Sequence, residues 1–187
     1  SLIAPADFLA GYTNRDLGIP MQVDVPKKGK KRTAANAVNS IVLVNRNNGE
    51  ISGGYRLEVI PGTGIRIEGN DAAGVFYGVQ TLIQMLPARA GVLPVLAAVK
   101  VVDYPRFAYR GMHLDVVRHF FPVEFIKKYI DYLALHKLNY FHWHLTDDQG
   151  WRVEMKCRPE LTAKGSVREG EIEGLYPGKY RPLPYGG

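Results

Sequence analysis

Three short apolar-rich segments, Ser40-Ile-Val-Leu-Val, Gly54-Tyr-Arg-Leu-Glu-Val-Ile and Gly64-Ile-Arg-Ile-Glu, are each bounded by Gly, Asn or Pro. The latter two alternate polar and apolar positions, the period of a strand with one buried face, and all three are expected to be strands of an antiparallel sheet. Asp71 then stands as a helix cap before a segment in which Val75, Val79, Leu82, Ile83 and Leu86 recur at helical spacing, ended by Pro87. That helix can lay one apolar stripe on the sheet. A further extended run, Val92 to Val102, completes the expected first domain, residues 1–102, an α+β unit with an antiparallel sheet and helices on one face. Its size is one at which a domain can fold by itself.

After Asp103-Tyr-Pro-Arg the pattern changes. Phe107 to Val116 alternates and is β-like, Pro122 opens a helix whose Ile126, Tyr129, Ile130 and Leu133 share a face, and Asn139 to Leu145 is a second strand. Strand, helix and strand in succession make a βαβ unit, which requires parallel strands. Residues 103–187 are therefore expected to form the first part of an incomplete (β/α) barrel, with a third strand near Trp151 to Met155 short at best. Eight strands with their helices need roughly 200–250 residues, far more than run from Asp103 to Gly187. The open strand edge of such a piece is expected to pair with another chain or with the missing part of the barrel. Beyond Lys164 glycine and proline crowd the sequence, which predicts a long loop with no element of its own.

Composition narrows the class. With 187 residues, 46% of them hydrophobic and 22% charged, the chain can bury a real core and is neither disordered nor fibrous. No apolar run is long enough for a membrane span, and Ser1-Leu-Ile-Ala-Pro lacks the basic start and apolar stretch of a signal peptide, so any export signal is expected to have been removed or never present. Much of the net charge of +6 comes from Lys27-Lys28-Gly29-Lys30-Lys31-Arg32. Without interleaved aromatics that run reads as a solvated loop or hairpin tip, and no nucleic-acid partner is expected. Cys157 is a lone thiol, which excludes an intrachain disulfide framework and supplies no zinc cluster.

The chemistry gathers on the two barrel strands. Gly111, His113 and Asp115 fall on one face of the first, Met112, Leu114 and Val116 on the other. Polar residues facing inward are expected where a parallel barrel meets an active site at the carboxyl ends of its strands. Just past that end stands Arg118, followed by His119. Its guanidinium can offer a planar fork of donors to hydroxyls or carboxylates, or serve as an ion pair across the barrel mouth. On the second strand His142 and His144 share one face, Phe141, Trp143 and Leu145 the other, and Asp147-Asp148 begin the loop. Two histidines at i and i+2 with carboxylates close behind suit a divalent metal; they suit equally a barrel interior filled by hydrogen-bonded imidazoles. Spacing alone leaves both readings open.

Tyr109-Arg-Gly-Met-His-Leu-Asp-Val-Val-Arg-His-Phe-Phe-Pro and Lys137-Leu-Asn-Tyr-Phe-His-Trp-His-Leu-Thr-Asp-Asp-Gln-Gly-Trp together resemble the opening of the catalytic barrel of family-20 β-N-acetylhexosaminidases. Arg158-Pro-Glu-Leu-Thr-Ala-Lys-Gly-Ser resembles the segment that follows there, and residues 1–102 the α+β domain that precedes the barrel. The resemblance implies a hydrolase that removes terminal N-acetylglucosamine or N-acetylgalactosamine from glycans, with net retention, by attack of the substrate's own 2-acetamido oxygen on the anomeric carbon. It implies that Arg118 binds outer hydroxyls of the terminal sugar and that Asp147 belongs to the network supporting the general acid. No metal and no cofactor are implied, and the expected location is secreted or periplasmic. The adjacent Asp-Glu pair that orients the acetamide and protonates the leaving group lies on a later strand, beyond this sequence, so residues 1–187 alone are expected to be inactive. Two other classes remain: a metal-dependent barrel hydrolase built on His142 and His144, and a carbohydrate-binding or interaction module formed by residues 1–102.

Overall fold

The computed structural model describes residues 2–25, 38–47, 49–87, 90–92, 94–174 and 178–182. The basic run Lys27–Arg32 lies outside them. The chain divides into two compact units, Ser1–Ala108 and Tyr109–Gly187.

The first unit opens with helix α1 (Ile3–Tyr12), which continues into a π-helical turn at Thr13–Leu17 and stops where Gly18 takes a left-handed conformation. Four strands follow, β1 (Ser40–Asn45), β2 (Tyr55–Ile60), β3 (Gly64–Gly69) and β4 (Val99–Asp103), with helix α2 (Ala72–Met85) between the last two. They line up in the order β1-β3-β2-β4. β2 is antiparallel to both β3 and β4, but β1 runs parallel to β3. The sheet is thus mixed, a correction to the all-antiparallel expectation. The tight turn at residues 61–63 makes β2 and β3 immediate neighbours. The connection from Asn45 to Tyr55 then has to pass the end of β3, since both of those residues are in register with Gly69. β1 is left with the free edge of β3, and the direction in which the chain enters makes that pairing parallel. The last strand begins only at Val99, later than the Val92 expected.

The core sits between α2 and this sheet. Leu57 and Ile67 face each other across β2 and β3 and are fully buried, as are Val75, Val79 and Leu82 on the helix. Burial of each such side chain stabilises by roughly 1.5–3 kcal/mol. The approach is close enough that a Cβ on Gly78 would collide with Ile67, and one on Gly74 with the Gly54 carbonyl oxygen. Asp71 caps the helix as expected. Its carboxylate accepts from the Gly74 N–H at 2.7 Å, and also from the Ser52 hydroxyl at 2.6 Å and the Gly53 N–H. Asp103, placed by the sequence at the start of the second domain, is the last residue of β4. There its Oδ2 accepts a hydrogen bond from the Tyr55 hydroxyl at 2.9 Å.

In the second unit β5 (Gly111–Asp115), α3 (Val123–Leu135) and β6 (Tyr140–His144) form the expected strand–helix–strand, with β5 and β6 parallel. Proline fixes φ at −66° at the start of α3, and Ile126 and Leu133 are its buried positions. Two expectations fail. No third parallel strand follows near Trp151 to Met155; β7 (Thr146–Asp147) and β8 (Gly150–Trp151) instead close a minimal antiparallel hairpin around Asp148-Gln149. Two residues of turn permit only an antiparallel return, whereas a parallel strand needs a long crossover. Nor is the tail structureless beyond Lys164. After α4 (Pro159–Gly165), β9 (Gly170–Glu173) pairs antiparallel with β10 (Lys179–Pro182), the positive-φ residue Gly174 directly following the first strand and Gly178 directly preceding the second.

Candidate active site at the ends of two parallel strands

The register of β5 and β6 places His113 opposite His142 and Asp115 opposite His144, while Leu114 faces Trp143 on the other side of the ladder. Alternation along each strand thus sorts every polar residue of the pair onto one face. At the carboxyl end the backbone leaves β5 through a turn that Asp115 organises, its Oδ1 accepting from the N–H groups of Val117 at 2.8 Å and Arg118 at 3.2 Å. That turn sends the Arg118 side chain back across the strand ends.

Arg118 and Asp147 come together there. Arg118 Nη1 lies 2.6 Å from Asp147 Oδ2, 3.0 Å from Asp115 Oδ2 and 3.1 Å from His144 Nε2. The same His144 nitrogen is 2.9 Å from Asp147 Oδ2, so one guanidinium, one imidazole and two carboxylates form a closed network. Asp147 Oδ1 accepts the Asp148 N–H at 2.8 Å. That backbone donor, then His144, then the Arg118 charge hold the Asp147 carboxyl down to about 2. At Asp115 burial pushes upward, but the Val117 and Arg118 N–H groups and the Arg118 charge outweigh it and leave the carboxyl below its usual range. Both acids are therefore anionic at any physiological pH, which keeps them from donating a proton and suits them to hold a cation in place.

Side chains of the network are 28–44% exposed, so it faces solvent from the strand ends. Arg118 spends Nη1 on its partners, and no hydrogen bond from its Nη2 is present among the described residues. A fork with one side anchored and the other open can receive hydroxyls. Along the same face the side chains of His113, His142 and His144 converge, one ring nitrogen from each lying within 4.8 Å of the others. Sequence spacing gave His142 and His144 but no third imidazole; the cross-strand register supplies His113. Asp115 was legible as a polar residue on the inner face, but its part in anchoring Arg118 follows only from the turn geometry.

A first domain of sheet and helices followed by a parallel strand–helix–strand unit that presents an arginine between carboxylates defines a class, an α+β domain joined to a second, α/β unit. Comparison with known proteins narrows it. The profile described as "Glycosyl hydrolase family 20, domain 2" matches residues 2–104, and that of the "Glycosyl hydrolase family 20, catalytic domain" matches residues 107–182. The chain belongs to glycosyl hydrolase family 20. A beta-hexosaminidase of Porphyromonas gingivalis is 50% identical over 123 residues, covering 63% of this chain and 16% of that protein. A beta-N-acetylhexosaminidase of Cellulomonas fimi is 45% identical over 124 residues, covering 65% and 25%. Among solved structures, the family-20 exo beta-N-acetylglucosaminidase from Vibrio harveyi, crystallised with N-acetylglucosamine, superposes with a TM-score of 0.71 at 32% identity, over 96% of this chain and 27% of that one. The Streptomyces plicatus N-acetyl-beta-hexosaminidase gives 0.72 at 37% identity, over 91% and 33%. The chain thus spans a third or less of each of these relatives.

Proposed function

We propose that a protein carrying this chain is an exo-acting β-N-acetylhexosaminidase, that Arg118 holds hydroxyls of the terminal N-acetylhexosamine, and that Asp147 supports the general acid. The observation that carries the reading is the Arg118 network at the carboxyl ends of β5 and β6, where barrel enzymes place their chemistry. Two permanently ionised carboxylates fix the guanidinium before substrate arrives, so little ordering is left for the binding step. Proton donation and acetamide orientation are assigned to the Asp-Glu pair of a later strand, in keeping with the low Asp147 pKa. The reading includes the architecture: β5, α3 and β6 open a (β/α) barrel whose remaining strands pair with the free strand edges. It also includes the substrates, glycans ending in N-acetylglucosamine or N-acetylgalactosamine, and a secreted or periplasmic location. In a full-length protein with this sequence, Arg118→Ala should lower kcat/KM for an aryl N-acetyl-β-glucosaminide by about 10²-fold or more, as for loss of charge-assisted hydrogen bonds in a closed site. Near-normal turnover would remove Arg118 from the site.

The three converging imidazoles favour a second reading, a metal-dependent hydrolase. Against it stands Arg118, whose guanidinium would lie beside the bound dication, while Asp147 already engages His144 Nε2. The expected outcome is that purified protein carries no stoichiometric transition metal and keeps its thermal transition in a chelator. Stoichiometric zinc lost together with folding would promote the metal reading.

A further inference from the structure

Two arginines that the network does not include, Arg152 and Arg168, hold the backbone around it. Arg152 donates from Nε to the Val116 carbonyl at 3.3 Å and from Nη1 to the Ser166 carbonyl at 2.7 Å. Arg168 donates from Nη1 to the Gln149 carbonyl at 3.2 Å and from Nη2 to the Arg118 carbonyl. The carbonyls on both sides of the fully buried Val117 are thereby gripped, and the Asp115 carboxylate already takes the N–H groups of Val117 and Arg118. Arg168 does something more. Its fork spans the loop that carries Arg118 and the hairpin turn that begins at Asp147, beside the direct Arg118–Asp147 pair.

The pair is held at a cost. Among the described residues, buried Arg152 Nη2 and Arg168 Nε have no hydrogen-bond partner, and neither guanidinium has a carboxylate within ion-pair distance. Burial and the neighbouring Arg168 charge both act against the protonated form of Arg152. Unpaired buried donors and like charges side by side cost folding free energy, and such costs concentrate where geometry serves function. The recipients, four backbone carbonyls, are what a loop needs fixed if one of its side chains is to stay in place.

We propose that Arg168 is a positioning residue, which sets the distance between Arg118 and Asp147 by tying their two loops together. The proposal rests on the hexosaminidase reading, since it acts through Arg118. The test is a double-mutant cycle in the full-length protein, with kcat and KM measured on 4-nitrophenyl N-acetyl-β-glucosaminide and thermal unfolding recorded for each variant. Arg168→Ala should lower kcat/KM by about 10–100-fold, the scale of a displaced catalytic geometry. In an Arg118→Ala background the same change should cost less than about threefold, because the residue it positions is gone. Arg168→Lys, able to reach one carbonyl but not both, should recover part of the loss. If Arg168→Ala does not fold, the cycle is run with Arg168→Lys under the same criterion. Equal losses in both backgrounds, or none with Arg118 intact, would overturn the positioning role. An inactive wild-type protein would overturn the hexosaminidase reading, and this inference with it.

Discussion

At the scale of single residues, the site is governed by what surrounds two carboxylates. Asp147 is pulled down to about 2 first by the Asp148 N–H, then by His144 and Arg118. Its ordinary value is about 3.9, so the folded state binds fewer protons than the unfolded one between these limits. The Asp147 contribution to stability is therefore complete above about pH 4 and is lost as pH falls through about 2. A carboxyl-detected NMR titration should place the Asp147 midpoint near 2. Arg118→Ala should raise it only part of the way, because the first contributor is a backbone donor that remains. A midpoint near 4 in the unmodified protein would mean that the network does not form in solution. Arg118 and Asp147 could be chosen from sequence because they lie in motifs resembling the family, but the bonds between them could not. Asp115 sits three residues before Arg118, and only the turn that it caps shows that the two side chains meet. His113 and His142 are 29 positions apart, and only the strand register makes them neighbours.

At the scale of elements, legibility followed periodicity. α2 has an apolar stripe, a capping aspartate and a terminating proline, and each signal marks the place where the helix begins, packs or stops. α1 has none of these. Its apolar residues fall on every side, Pro5 stands in its first turn and no side chain caps it, so nothing in the pattern announces a helix. The β9–β10 hairpin was hidden for a related reason: four-residue strands framed by glycine read as loop until Lys179 is seen opposite Glu173. Strand pairing was the least legible feature, since alternation gives a strand its faces and not its neighbours. The Leu57–Ile67 core closes within residues 1–108, which are expected to fold when expressed alone, with dispersed amide signals and a cooperative urea transition. In that unit Asp71→Ala should cost about 1–2 kcal/mol, the upper part of the usual range for a cap, because Ser52 and Gly53 lose an acceptor as well. A non-cooperative transition would place the domain boundary elsewhere, and an unchanged midpoint would deny the cap its role.

At the scale of the whole molecule, the two units differ in how much of their apolar surface they cover. The first has a continuous core of Leu9, Tyr55, Leu57, Ile67, Tyr77, Val79, Leu82 and Ile83. In the second, Val116, Val117, Ile126 and Leu133 are buried, while Met112, Phe125, Ile130 and Trp143 are each more than two-fifths exposed. Parallel strands are ordinarily covered on both faces, and a two-stranded pair beside one helix cannot do this. That imbalance is what the opening unit of the proposed barrel would show. In the proposed function these residues bind and position the sugar and do not protonate the leaving group. Release of 4-nitrophenol from its N-acetyl-β-glucosaminide, measured side by side for residues 1–187 and for a full-length protein that includes them, tests it most directly. Steady turnover is expected of the full-length protein, and of residues 1–187 none above the uncatalysed rate. Turnover by residues 1–187 that disappears in Asp147→Asn, with mass spectrometry excluding longer contaminants, would contradict it and place the acid within this sequence.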